Sequence, residues 1–248
     1  MTRRKNISLA LLILCAGCLF AQKNLLFKPI TKEEASKYLL QINHWYTSTA
    51  SYSFAVTHAT YKGHAAASPY EMKRGFCRKF PKGYHSDIAG IHTLQIKNYI
   101  IKIDSTKKLI AVTDYDPKNH KSFSLDEYGA QLDKYTAFKL AESPDYKTVR
   151  FEAGKDQPVS AFEFSFYKDG SLHAVNIYYA REVKTLQGES VKPKLGIQFD
   201  KYATSVTPQK NELSESQFFT VSSNNTLVIN PAYKEYTLLD QRINEAKP

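Results

Sequence analysis

The apolar positions of this chain follow three patterns in turn. From Ile7 to Phe20 they are continuous, broken only by Ser8 and by small residues, and Arg3-Arg4-Lys5 stands before them. The run is shorter than the roughly 20 residues of a membrane-spanning helix, and it lacks the polar face of a globular one. It predicts a secretory signal peptide. Helical spacing comes next. Thr31 and Glu34 form a capping box, followed by Ala35, Tyr38, Leu39, Ile42 and Trp45 on one face.

From Tyr52 onward the period is two. Tyr52, Phe54 and Val56 alternate with Ser53, Ala55 and Thr57, as a strand with one buried face requires. Met72, Phe76 and Phe80 share a strand face with Arg74 and Arg78, and Pro81 and Gly83 end it. Ile91 to Asp114 reads as a three-stranded meander, with turns at Lys97-Asn98 and at Asp104–Lys107. A second capping box, Ser124 with Glu127, predicts a helix continued by Leu125, Tyr128 and Leu132.

Strands are then expected at Tyr135–Glu142, Tyr146–Glu152 and Val159–Tyr167. The last of these, with Phe162, Phe164 and Phe166 on one side, turns at Asp169-Gly170 into Val175, Ile177 and Tyr179. Leu195, Ile197 and Phe199 alternate again. Phe218–Val221 and Leu227–Ile229 are short apolar runs expected to finish the sheet, and Tyr236–Ile243 fits a strand or a short helix equally. About ten strands against two helices predict an α+β chain, mainly antiparallel, with one large curved sheet or incomplete β-barrel.

Composition refines this picture in three ways. The exit of the signal is Phe20-Ala21-Gln22, so cleavage after Ala21 is the preferred reading. Cys15-Ala16-Gly17-Cys18 resembles a lipobox and makes an acylated Cys18 the alternative. Removing residues 1–21 takes away three cations and lowers the formal charge from +10 to +7. The remaining Lys and Arg are interleaved with acids, which speaks against a nucleic-acid arm and leaves peripheral attraction to anionic membranes open. Cys77 is the one cysteine of the mature chain, so no internal disulfide is expected. Residues 22–248 show neither linker nor repeat, and read as a single domain.

Candidate chemistry is sparse. No nucleophile elbow, phosphate loop or His-Glu-x-x-His occurs, so no catalytic residue, metal site or cofactor is expected. Cys77 falls on the strand face opposite Arg74 and Arg78 and reads as a small filler. What the chain has is aromatic residues, 17 Tyr, 14 Phe and one Trp, concentrated at alternating strand positions. A concave sheet lined by Phe can enclose an apolar cavity, or the same rings can fill a solid core; the pattern fits both.

Three segments, Arg78-Lys79-Phe80-Pro81-Lys82-Gly83, Asn98 to Asp114, and Leu195–Tyr202 with Phe218-Phe219, together with the order of elements, resemble the periplasmic lipoprotein carriers of the LolA/LolB-like superfamily. The signal's Phe-Ala-Gln ending and the richness in Lys, Tyr and Asn resemble envelope proteins of Bacteroidetes-type bacteria. The resemblance implies a non-enzymatic protein of a Gram-negative periplasm or outer envelope that binds a lipid, an acyl chain or a lipoprotein. Its groove would be lined by Phe54, Val56, Phe76, Phe162, Phe164, Phe166, Val175, Ile177, Ile197 and Phe199. The first helix would be a lid, through Tyr38, Leu39 and Ile42, with Arg78 the nearest match to the family's latching arginine. The alternative is an envelope interaction or scaffold protein with a filled core and protein partners.

Overall fold

The computed structural model describes residues 25–96, 98–115, 132–185 and 188–242. The expected signal, and the expected second helix except for Leu132, lie outside them. Thirteen strands form one sheet: β1 (Lys28–Ile30), β2 (Tyr52–Tyr61), β3 (Glu71–Phe80), β4 (Gly83–Ile88), β5 (Ile91–Ile96), β6 (Tyr99–Asp104), β7 (Leu109–Asp114), β8 (Tyr135–Glu142), β9 (Tyr146–Ala153), β10 (Val159–Tyr167), β11 (Leu172–Tyr179), β14 (Lys194–Thr204) and β17 (Thr237–Asp240). Two small hairpins stand apart from it, β12 (Val183–Lys184) with β13 (Ser190–Val191) and β15 (Phe219–Val221) with β16 (Leu227–Ile229).

The sheet runs β1-β8-β9-β10-β11-β14-β2-β3-β4-β5-β6-β7-β17, antiparallel throughout except that β17 lies parallel to β7. It is not closed. The expected incomplete barrel is therefore present, with more strands than the alternation alone counted. Tyr236–Ile243, ambiguous in sequence, supplies the edge strand β17. Among the described residues there is one α-helix, α1 (Lys32–Ser48), and none long and apolar enough to cross a membrane.

Helix α1 starts as its sequence requires. Thr31 accepts from the Glu34 amide and Glu34 accepts from the Thr31 amide, so two first-turn donors are satisfied reciprocally. Its last turn holds no basic residue, yet its carbonyl end is not left bare. Lys79 of β3 donates from Nζ to Tyr46 O at 2.8 Å and to Thr49 O at 2.9 Å, placing a cation at the negative pole of the helix dipole. The β10–β11 turn docks on the same helix. Gly170 sits there at φ +97°, and a Cβ would lie 2.8 Å from Gln41 O, so only glycine allows the approach.

Register decides which face each strand contributes. Phe54 pairs with Cys77, and Cys77 with Ser86. This face carries the first core: Leu39, Ile42 and Tyr46 of α1 pack on Tyr52, Phe54, Phe164, Phe166 and Phe199. Ala55 pairs with Phe76, Arg78 with His85, His85 with Leu94, and Leu94 with Ile101. That opposite face carries the second core, in which Leu94, Ile101, Ile103, Ile110 and Val112 are covered by Phe218, Phe219 and Leu227 of the carboxy-terminal segment. One sheet is thus covered twice, by α1 on one face of one half and by the carboxy-terminal segment on the other face of the other half.

Candidate functional site

Beneath α1 the described residues form a packed apolar core. Phe54, Val56, Phe164, Phe166, Val175 and Phe199 are buried in the first core, and Phe162, Ile177 and Ile197 pack against it half-buried. Leu39 is 4% exposed and Ile42 fully buried, while Tyr38 packs on Phe166 with ring centroids 5.7 Å apart. A tyrosine relay closes this interior. Tyr202 OH donates to Leu172 O at 2.7 Å and receives Tyr46 OH at 2.7 Å, which joins α1, β11 and β14. Burial pushes both phenols well above the ordinary range.

Two of the expected residues sit elsewhere. Phe76 and Arg78 lie on the opposite face of β3, one residue out of step with Cys77, because side chains alternate along a strand. Arg78 therefore has no contact to make with α1. It grips the carboxy-terminal segment instead, through Nη1 to Glu212 Oε1 at 2.6 Å and Oε2 at 2.8 Å and Nη2 to Thr207 O at 3.2 Å.

Open space lies on this second face. A cavity of about 780 Å³ runs between β2–β6 and the chain from Lys201 to Tyr236. Its floor is Ser53, Ala55, Phe76, Leu94 and Ile103, and its roof Phe218, Tyr233 and Tyr236. Phe54, although packed beneath α1, also borders it. Phe76 stands edge-on to His85 at 4.9 Å, and the roof rings meet in series, Phe218 tilted against Tyr233 at 5.3 Å and Tyr233 edge-on to Tyr236 at 5.1 Å.

The polar lining is mostly basic: Arg78, His85, His92, Lys201 and Lys210, with Gln209 and Gln217, face one carboxylate, Glu212. Glu212 accepts from Arg78, from His85 Nδ1 at 3.0 Å and from the Gln209 amide at 2.8 Å. Burial works to raise its carboxyl; the Gln209 amide, His85 and Arg78 outweigh that and hold it below the usual carboxylate range. Its turn is seated by Leu213, which fills the space above Gly83; a Cβ there would lie 2.9 Å from Leu213 Cδ1 and 2.6 Å from Gln95 O.

The sequence named Phe54, Phe76 and Arg78 among these residues. It gave no signal for Glu212, Lys201 or Lys210, which sit in polar loop or strand-end positions, and it placed Phe218 in the sheet rather than above it.

No family model matches the chain, and no curated protein matches it significantly. Solved structures do. An uncharacterized conserved protein from Thermus thermophilus is similar at 8% identity and a TM-score of 0.45, over 84% of this chain and 99% of that one. The Pseudomonas aeruginosa MucA/MucB complex is similar at 10% identity and a TM-score of 0.40, over 79% of this chain and 63% of that one. A LolA superfamily protein from Nitrosomonas europaea is similar at 8% identity and a TM-score of 0.30, over 74% and 99%. LolA superfamily proteins are thus among the structures this chain is similar to.

Proposed function

We propose that this protein is an exported, non-enzymatic binding protein of the cell envelope that holds a lipid, or the acyl chain of a lipoprotein, in the cavity beneath its carboxy-terminal segment. The carrying observation is that cavity: about 780 Å³, with Ala55, Phe76, Leu94 and Ile103 in its floor, Phe218, Tyr233 and Tyr236 in its roof, and basic side chains among them. Volumes of this order suit one small ligand. Each methylene taken from water contributes about 0.8 kcal/mol, so a chain of ordinary length has enough apolar surface to bind. The groove expected under α1 becomes, on this reading, the scaffold that holds the sheet's curvature.

The test is saturable binding of N-phenylnaphthylamine, a dye that fluoresces in apolar surroundings, by the protein lacking residues 1–21. Ala55→Trp puts a ring into the cavity floor and leaves the first core alone, so it should abolish dye binding while the thermal transition stays close to that of the parent. Dye binding that survives Ala55→Trp, or no binding by the parent, would sink the proposal. A lipid retained through native mass spectrometry of protein taken from its own envelope would identify the natural ligand.

A further inference from the structure

Glu212 occupies an anion site. Its side chain is 6% exposed, and its two oxygens receive four contacts: both from Arg78 Nη1, one from His85 Nδ1 and one from the Gln209 amide. A planar guanidinium with a backbone N–H beside it is a general receptor for carboxylate and phosphate oxygens. Nothing in that geometry demands that the anion belong to the protein.

The charge around it is lopsided. Lys201 and Lys210 line the same cavity, and neither has an ion-pair partner among the described residues. His92 also faces the cavity and lies 3.5 Å from Asp87. With Glu212 in place Arg78 is balanced and the two lysines are not. Lys201 is held at the cavity by backbone geometry: it stands at φ +54° in the irregular stretch of β14 between Asp200 and Ala203, where the β2 pairing slips.

From these observations we infer that the cavity selects amphiphiles with an anionic head, phosphate or carboxylate, which pairs with Lys201 and Lys210 and competes with Glu212 for Arg78 and His85. Glu212 then acts as an internal stand-in for the ligand's head. It keeps Arg78 paired when the site is empty, and its displacement frees the turn that Leu213 seats on Gly83. This inference rests on the cavity being a lipid site, and its test separates the two.

Dye-loaded protein is titrated with four competitors below their micellar concentrations: dodecyl phosphate, dodecyl maltoside, dodecyltrimethylammonium and inorganic phosphate. Dodecyl phosphate should displace the dye at about tenfold lower concentration than the maltoside, the worth of one charge-assisted hydrogen bond. The trimethylammonium compound should be weakest of the three chains. Arg78→Gln should erase the phosphate preference. Glu212→Gln, which removes the charge of the internal competitor, should sharpen it. Equal displacement by all three chains overturns the anionic preference and leaves the lipid site standing. Displacement by inorganic phosphate as effective as by dodecyl phosphate overturns the amphiphile. Loss of dye binding in Glu212→Gln, with folding intact, makes the residue a structural clasp and also overturns it. Should Arg78→Gln fail to fold, the Glu212→Gln titration decides alone.

Discussion

Phe76 and Cys77 are adjacent in β3 and serve different interiors: Cys77 is 3% exposed beneath α1 beside Phe54, and Phe76 lines the cavity on the far face. The alternation that separates them also separates Arg78 from Lys79. Arg78 clasps Glu212 of the carboxy-terminal segment, and Lys79 clasps the carbonyl end of α1. A single strand therefore holds both coverings of the sheet, one from each side.

Phe164 tests the first core. It is 4% exposed and meets Phe151 edge-on at 5.7 Å. Phe164→Ala should cost about 3–5 kcal/mol in denaturant unfolding. A loss below about 1 kcal/mol would mean that its ring has room to spare and that the core beneath α1 is not filled.

Leu39 distinguishes a lid from a wall. Since it is 4% exposed, Leu39→Asn should lower stability by about 2–5 kcal/mol, from lost packing and an unpaired amide. Dye binding should not rise. A well-folded variant with increased dye binding would restore α1 to the role of a movable lid.

Acid should loosen the carboxy-terminal segment first. The Glu212 carboxyl is held below its ordinary value of 4.5 in the folded protein. A depressed carboxyl contributes stability that is present above the unfolded value and lost as pH falls through the folded one. Hydrogen exchange in residues 205–217 should therefore rise relative to that of β9–β10 as pH drops below 4.5. Glu212→Gln should remove this difference; an unchanged acid response in that variant would show that another group carries it.

Cys77 should be chemically silent. Burial pushes its thiol up to about 12, against smaller opposing contributions from Tyr84 and Lys79. Reaction with a thiol-specific disulfide reagent at about pH 8 should then proceed only as fast as the protein unfolds, because the thiolate is the reactive form. Immediate labelling of native protein would place Cys77 at an accessible surface.

The strands were legible because each carries its own alternation: Val159–Tyr167 and Tyr135–Glu142 have the bounds that their patterns gave. The capping box at Thr31 and the turn at Asp169-Gly170 were legible for the same local reason. What the pattern could not carry is which face of the sheet each apolar row would meet. Phe54 and Phe76 look alike in sequence, and only the β2–β3 register puts them on opposite sides. The cavity depends on that register and on where residues 201–236 come to lie, and neither is written in any one segment. Tyr46 also escaped notice, though it is 2% exposed and anchors the tyrosine relay, because Trp45 beside it completes the same helical face.

Strand β2 lies in the middle of the sheet, between a neighbour that follows it closely and one made near the end of the chain. Thr57 pairs with Lys73's neighbour Arg74 on one side and with Gln198 on the other. Closing so long a loop adds only a logarithmic entropy cost, but pairings this distant along the chain are slow to find. Until β14 arrives, β2 is an unpaired edge that shows Phe54 and Val56, the kind of edge that recruits other chains. The yield of native protein on folding would then depend on how quickly Leu195 to Phe199 reaches that edge, more than on how stable the finished sheet is.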